Sequence, residues 1–292
     1  MVFIMRRRRS NSGYSFNVDQ RRTQAGTMPS HKHFIERNLG MYNVNLWTPS
    51  SLTTSLWLDA NDLSTLTYNG SFLVSQWNDK SGNGRNAKTS GVSRPLLSIS
   101  GFNSNNMITF DGVEDYMDLS STSLFSSGNS NITIIAAYRA KVEYGLYGTL
   151  IANYPSGNCQ YLFGGQLGYM TTWGIFNDSD LYLDDDDYRQ NINIITVSVR
   201  RNGSFTGFKY GVQKNTIGNI ASVYAGPATS SGWKIGANYS NSQKGNMDLY
   251  EIICMNSAIS DSDREKVEGY LAHKWRLAAN LPDNHKYKNS AP

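Results

Sequence analysis

The stretch "MDLYEIICMNSAISDSDREKVEGYLAHKWRL", residues 247–277, joins an apolar run of strand length to a helical pattern. The run "DLYEIICMN" has the length and apolar content of a buried strand. After it, Ser260 can cap a helix, and Asp261 and Asp263 suit the positive end of the helix dipole. The stretch therefore predicts a helix over residues 260–278, directly after a buried strand.

An apolar stripe on this predicted helix repeats every four residues, at Val267, Leu271 and Trp275. Such a stripe indicates that one face of the helix packs on a sheet. His273 and Lys274 fall off the stripe, and no second histidine or carboxylate stands at metal-ligand spacing. The pattern favours a structural helix over a chemical site.

Short apolar or alternating runs fill the chain from about residue 51 onward, separated by Gly, Asn, Ser and Asp clusters. Examples are "SLWLDA", "MITFDG", "ITIIAAYRA" and "INIITVSVRR". Strand-length units between turn signals are typical of antiparallel sandwiches, and no fixed-period repeat suggests a propeller or solenoid. We predict an all-β fold, an antiparallel two-sheet jelly-roll sandwich over residues 51–292, with a C-terminal helix and an extended N-terminal arm.

The first 50 residues have a different composition, with a basic excess and no sustained periodicity. They form a predicted anchoring arm, while the remainder of the chain is slightly acidic. An arginine can bind phosphate or pair with a neighbouring acidic subunit, so genome contact and protein contact are both open. The arginines assigned to anchoring are Arg6, Arg7, Arg8, Arg9, Arg21 and Arg22.

Several protein classes are disfavoured by what the sequence lacks. No apolar run approaches the roughly 20 residues that span a bilayer, and the start "MVFIMRRRRS" has its charges after a short apolar piece, unlike a secretory signal. Cys159 and Cys254 are expected to be reduced and buried. No nucleophile elbow, metalloprotease motif or alternating carboxylate strand motif is present, so we expect no enzymatic activity.

The ordered series "LWLDANDLSTL", "VSQWNDKSGNGRNA", "ITFDGVEDYMDL", "ITIIAAYR" and the strand and helix stretch quoted above, followed by "LPDNHKYK", resembles a known family. It is similar to the LamG-like branch of the concanavalin A-like jelly rolls, in the versions carried by bacteriophage virion proteins and bacterial surface proteins. The resemblance covers residues 52–288. It implies two antiparallel sheets packed face to face, often used to bind glycans or proteins, and no single shared activity.

The resemblance also suggests where ligands would bind. Relatives often hold calcium at the sandwich edge, which makes Asp111 and Asp115 calcium candidates; the alternative is that both bond to the backbone of a turn at Gly112. Sugar sites use an aromatic platform, for which Tyr116 and Trp173 are the candidates, with Tyr147 and Tyr239 also near predicted strand ends.

Three further segments favour structural over chemical roles. The run Asp184 to Asp187 cannot converge on one ion from a strand, since alternate side chains point to opposite faces. "NDKSGNGRNA" lacks the spacing of a phosphate-binding loop and is predicted to be a structural turn. His31 and His33 are expected to lie in an interface or loop without metal.

The leading functional hypothesis follows from the resemblance and the arm together. It is a non-enzymatic phage virion protein, anchored by its arm to capsid or tail subunits and displaying the jelly roll for head decoration or host-surface attachment. Its expected partners are other virion proteins, a host-surface glycan and further copies of itself, with no membrane insertion and no nucleic acid. The alternative is a carbohydrate-binding adhesin module of a tail fibre or bacterial surface protein; an enzyme and a genome-contacting capsid subunit are lesser rivals.

Overall fold

A computed structural model describes residues 47–120, 124–125, 131–141, 149–153, 162–166, 169–175, 179–184, 192–199, 204–217, 232–238, 241 and 243–292. The six arginines of the predicted arm lie outside these residues, as do His31, His33, Cys159 and Asp185 to Asp187. The roles predicted for them therefore stay predictions.

Strands dominate the described chain, as the run pattern predicts. They are β1 Thr54–Asp59, β2 Leu66–Tyr68, β3 Val74–Trp77, β4 Ala87–Lys88, β5 Leu96–Phe102, β6 Asn105–Asp111, β7 Met117–Leu119, β8 Ile132–Ala140, β9 Ile151–Ala152, β10 Leu162–Gln166, β11 Tyr169–Ile175, β12 Ser179–Asp184, β13 Asn193–Val199, β14 Phe205–Lys209, β15 Val212–Ile217, β16 Lys234–Ile235 and β17 Asn246–Met255. One α-helix, α1, spans Asp261–Lys274, and short 3-10 turns cover Pro49–Ser51, Leu63–Thr65, Gly91–Ser93 and Ala278–Asn280.

The strands form two main antiparallel sheets. The larger has eight strands in the order β15-β14-β13-β8-β17-β6-β5, with β1 also paired to β17. The smaller has six strands in the order β2-β3-β4-β7-β16-β9, and β10, β11 and β12 form a separate three-stranded sheet. The prediction of an all-β, two-sheet jelly-roll sandwich with a C-terminal helix is confirmed.

Strand β17 lies at the centre of the larger sheet. One of its edges pairs with β8 along nearly its whole length. Its other edge pairs first with β6, from Asn246 to Leu249, and then with β1, from Glu251 to Met255. The change of partner coincides with a register irregularity between Leu249 and Glu251 in the pairing with β8.

Both faces of β17 are buried, which explains its nearly continuous apolar sequence. Leu249, Ile252 and Cys254 face a core between the two sheets. Tyr250 and Ile253 face a second core between the larger sheet and α1. The expectation that Cys254 is a free, buried thiol is confirmed.

Helix α1 packs through the predicted stripe, because Val267, Leu271 and Trp275 are all fully buried in the second core. Ser260 caps the helix as predicted, with its hydroxyl accepting from the amide of Asp263 at 3.1 Å.

The predicted helix end at residue 278 was wrong, since α1 stops at Lys274. Arg276 takes a left-handed conformation with φ of 57°. Its amide donates to the carbonyl of His273, and the amide of Leu277 donates to that of Ala272. This Schellman motif closes the helix one turn early without a glycine.

The carboxylate of Glu251 joins the helix to the sheet. It is fully buried. Its Oε1 accepts from Nε1 of Trp57 at 2.7 Å and from the hydroxyl of Tyr270 at 3.0 Å. Its Oε2 accepts from Nε1 of Trp275 at 2.9 Å and from Nζ of Lys274 at 2.6 Å. The two oxygens thus bind donors from β1, from α1 and from the residue that follows it.

Lys274 extends this buried network to a second carboxylate. Its Nζ lies 2.7 Å from Oδ1 of Asp59, and Lys80 reaches Oδ2 of Asp59 and Oδ2 of Asp62 at 2.8 Å each. Lys274, which lies off the apolar stripe, therefore pairs with two buried carboxylates, and the sequence analysis missed this role. Burial, the largest influence, raises the pKa of Glu251, and Lys274 opposes that rise.

Replacing Lys274 by methionine should destabilise the fold by about 3 kcal/mol, because Glu251 would keep its burial and lose its cation. Urea unfolding at pH 8 and pH 5 measures the loss. It should be smaller at the lower pH, since the raised pKa of Glu251 favours binding of a proton by the carboxyl as pH falls. The double variant Glu251→Gln with Lys274→Met should recover part of the stability, and a loss below about 0.5 kcal/mol in the single variant would contradict the assignment.

Candidate functional site

The segment after β6 forms a tight turn organised by a carboxylate. Oδ1 of Asp111 accepts from the amides of Val113, Glu114 and Asp115 at 2.8, 3.1 and 3.2 Å. Oδ2 of Asp115 accepts from the amide of Asp111 at 3.0 Å. Gly112 has φ of 77°, a conformation that favours glycine. This is the backbone-bonded turn that the sequence allowed as the alternative to calcium.

Asp111 and Asp115 direct these oxygens to their own turn. In the chain that the structure describes, no group of three or more His, Cys, Asp or Glu side chains is placed to hold a metal ion. The calcium site stays a prediction without a third described ligand. Burial, reinforced by the charge of Asp111, raises the pKa of Asp115 to about 6.

Tyr116 follows this turn, and its side chain is partly buried. The ring centroid lies 4.6 Å from Nζ of Lys234 and 4.1 Å from Nζ of Lys244. Both distances are within the range of cation–π attraction. Lysine ammonium groups therefore lie over a ring that the sequence analysis predicted as an open platform.

Strand pairing brings these lysines to Tyr116. Lys234 on β16 is the register partner of Asp118 on β7, and the two side chains form an ion pair. Lys244 lies in a bridge opposite Ala237 and donates to the carbonyl of Glu114 at 3.3 Å. Burial and the neighbouring Lys234 lower the pKa of Lys244. We call Tyr116, Asp118, Lys234 and Lys244 the Tyr116 cluster.

The Tyr116 cluster combines the groups that recognise a polyhydroxylated molecule. Two ammonium groups can donate to hydroxyl oxygens, and the half-exposed carboxylate of Asp118 can accept from hydroxyl protons. The apolar surface of an aromatic ring can pack on C–H groups. The acidic turn beside the cluster offsets the two lysine charges, which favours a ligand without a strong net charge.

The second predicted glycan contact, Trp173, lies on β11, where it pairs with Phe163 of β10 and Leu181 of β12. Its side chain is outside the described part of the protein, so its role stays a prediction. Tyr147 and Tyr239 also lie outside the described residues.

The segment "NDKSGNGRNA" is held by hydrogen bonds to the start of β1. Oδ1 of Asp79 accepts from the amide of Trp57 at 2.9 Å, and its Oδ2 accepts from the amide of Arg85 at 3.0 Å. Asn83 and Arg85 donate to the carbonyls of Thr54 and Ser55, respectively. The segment is a structural turn, as predicted.

Buried acidic residues elsewhere serve the fold. Glu268 on α1 is fully buried and accepts from Thr196 at 2.7 Å and from Arg264 at 2.6 Å. Nε2 of His285 lies 3.5 Å from Glu268. Like Glu251, this carboxylate is enclosed by its own partners.

Comparisons with solved structures identify related folds. The binding domain of Paraclostridial Mosquitocidal Protein 1 has a TM-score of 0.57 at 14% identity, covering 76% of this chain and 53% of that chain. A Trypanosoma rangeli sialidase has a TM-score of 0.55 at 12% identity over 83% of this chain and 38% of its own. The binding domain of botulinum neurotoxin DC, in complex with SialylT, has a TM-score of 0.51 at 14% identity, covering 76% of this chain and 52% of that chain.

At these identities the likeness shows a shared fold, and the chain spans about half or less of each of these structures. No protein-family model and no curated protein matches the sequence. The LamG-like assignment therefore stays a resemblance, while the jelly-roll sandwich that it implies is present. Among the described residues, no helix has the length and apolar character needed to cross a bilayer.

Replacing Asp115 by asparagine should flatten the pH dependence of stability. The folded pKa of about 6 lies above the ordinary value of 3.8, so the native protein loses stability as pH rises through 6. Asparagine keeps an acceptor for the amide of Asp111, and the variant should be more stable than the native protein at pH 8 by on the order of 1 kcal/mol. Urea unfolding from pH 4 to 8 measures this, with the exposed Asp283→Asn as control; parallel curves for Asp115→Asn and the native protein would contradict it.

Proposed function

We propose that this chain is a non-enzymatic, carbohydrate-binding jelly roll displayed on a virion, and that its basic arm attaches it to capsid or tail subunits. The observation that carries the binding role is the Tyr116 cluster, where an aromatic ring, two ammonium groups and a carboxylate converge from three separate segments of the chain. Two of the similar folds are binding domains, and one of them was solved in complex with SialylT, which supports a glycan as the ligand class.

The position of the Tyr116 cluster suits recognition of a large external ligand. Asp118, Lys234 and the turn before Tyr116 lie on or beside short strands of the smaller sheet, which does not carry α1. Asp118 is 52% exposed, so a hydroxyl can reach its carboxylate without opening the fold. Binding there requires no rearrangement of either core.

The state of the buried carboxylates supports a binding module over a hydrolase. Glycoside hydrolysis requires two carboxyl groups that reach opposite sides of the scissile bond. Glu251 and Glu268 are both fully buried and saturated by internal donors. Neither of these two can meet a substrate while the fold is intact.

The virion role rests on the charge distribution and on the LamG-like resemblance. The first 50 residues are strongly basic, and the rest of the chain is slightly acidic. An arm of this kind can lie on an acidic neighbouring subunit, including a further copy of the same chain. The body then faces outward for head decoration or host-surface attachment. A bacterial surface adhesin with the same binding site is the alternative.

Tyr116→Ala and Lys244→Met should each reduce binding of the full chain to its strongest glycan-array ligand by about tenfold, because each removes one of the converging groups. Tyr68→Ala is the matched control, since Tyr68 is an exposed tyrosine on the far edge strand β2 of the same sheet. Absence of binding to every glycan would overturn the carbohydrate role, and equal loss in the control would overturn its assignment to the Tyr116 cluster.

Deleting residues 1–46 should abolish incorporation into particles while the body stays folded, because the deletion removes the arginines and spares Trp47. Trp47 makes an edge-to-face contact with Tyr270 of α1, so it belongs to the body. Quantitative mass spectrometry of purified particles measures incorporation. A second variant keeps all residues and changes six arginines to glutamine, so it distinguishes the effect of the charges from that of the chain length; the six are Arg6, Arg7, Arg8, Arg9, Arg21 and Arg22. Normal incorporation of the truncated chain would contradict the anchoring role.

A further inference from the structure

A cavity of about 190 Å³ lies beside the first turn of α1, on the face of the larger sheet that the helix covers. Among the described residues, its walls come from β8, β13, β14 and β15 and from the start of the helix. Most wall groups are polar: Thr133, Ser198, Thr206, Gln213, Asp261 and Arg264. This lining contrasts with the apolar core that the rest of α1 covers.

Ser198 gives the cavity an unsatisfied polar group. The residue is 9% exposed, and its Oγ is buried without a hydrogen-bond partner. An unpaired buried hydroxyl costs roughly 1–3 kcal/mol, and such groups are rare in folded proteins. A hydroxyl hydrogen bond from a bound molecule would remove this cost.

Arg264 supplies a rigid donor on the helix side of the cavity. Its guanidinium stacks 4.1 Å from the ring centroid of Phe208. Nη1 donates to Glu268 at 2.6 Å, and Nε lies 3.4 Å from Asp261. A guanidinium carries five N–H groups, so these contacts leave donors for a ligand.

The charges around the cavity exclude an anion as the preferred ligand. The cation of Arg264 faces the carboxylates of both Glu268 and Asp261. The amide of Asp263 is already bonded to the hydroxyl of Ser260, and the amide of Arg264 is bonded to the carbonyl of Ser260. The helix end therefore offers neither a surplus positive charge nor these amides to a phosphate or carboxylate.

The strand side of the cavity adds a short chain of hydroxyl and amide groups. Gln213 donates to Thr216 at 3.0 Å, and Thr216 donates to Thr206 at 3.2 Å. Such groups can donate and accept, so they match a ligand whose own hydroxyls do both. Phe208 and Ile259 provide apolar surface for C–H groups beside them.

We propose that this cavity binds one uncharged sugar unit or a polyol of similar size. Its volume falls below the range of about 300 Å³ and more that is usual for drug-sized ligands. The site is separate from the Tyr116 cluster and does not depend on it, because its lining residues come from the larger sheet and α1.

The test measures the change in melting temperature of the full chain with glucose, galactose, mannose, N-acetylglucosamine and glycerol, and with inorganic phosphate and sialic acid as anionic probes. At least one neutral probe should stabilise the protein at millimolar concentration, and the anions should not. Isothermal titration then gives the Kd of the best probe.

Ser198→Ala should weaken that Kd by about fivefold, which is the effect of one hydrogen bond. Without ligand, the variant should melt at the native temperature or above it, since alanine removes an unpaired buried hydroxyl. If Ser198 only stabilised the fold, its replacement by alanine would instead lower the melting temperature. Gln213→Ala changes an exposed wall residue and should weaken binding without affecting folding.

Ser75→Ala is the matched control, because Ser75 lies on β3 of the other sheet and donates to the carbonyl of Thr67. It should leave the Kd unchanged. The proposal is overturned if no neutral probe stabilises the protein, because the cavity would then hold only solvent. It is also overturned if an anionic probe binds more tightly than every neutral probe. Loss of the stabilisation in Tyr116→Ala, with its retention in Ser198→Ala, would assign the sugar to the Tyr116 cluster and overturn the cavity.

Discussion

The fold depends on one buried carboxylate, that of Glu251, which binds donors from Trp57, Tyr270, Lys274 and Trp275. A carboxylate buried without partners would cost several kcal/mol, so these four donors must be in place whenever the sandwich is closed. Both tryptophans also need a partner for their indole N–H when buried. Together with the apolar contacts of the second core, this carboxylate fixes the position of the helix on the central strand.

The residues that hold the fold together and the groups that could bind a ligand lie in different parts of the structure. Glu251 lies on β17, whose two faces carry the two cores, so its buried side chains from Met247 to Met255 cannot meet a ligand. The polar groups that a ligand can reach lie instead at the margins: the Tyr116 cluster on the smaller sheet and the cavity at the start of α1. The polar groups of the two cores are enclosed, so recognition is left to the periphery.

The candidate site could be predicted only in part. Asp111, Gly112 and Asp115 lie within five positions, so the known preferences of turn residues predicted the hydrogen bonds of this turn. Lys234 and Lys244 are more than 100 residues from the groups they contact, and their short segments carry no pattern that ties them to Tyr116. Strand register places both lysines beside Tyr116. The sequence of one short segment does not show which distant strand it pairs with, or in which register.

The sequence alone determined the all-β class, the C-terminal helix, its cap at Ser260 and its buried stripe, because these follow from local periodicity and capping chemistry. Tertiary structure decided that Lys274 is a buried ion-pair partner and that Arg276 ends the helix. It also decided that Ser198 lies unpaired at a cavity. The roles of Lys274 and Ser198 depend on which distant groups meet across the sheets, and a side chain's distant partners are fixed only when the whole chain has packed. The end at Arg276 is made by local hydrogen bonds, but no glycine or other local signal marks it in the sequence.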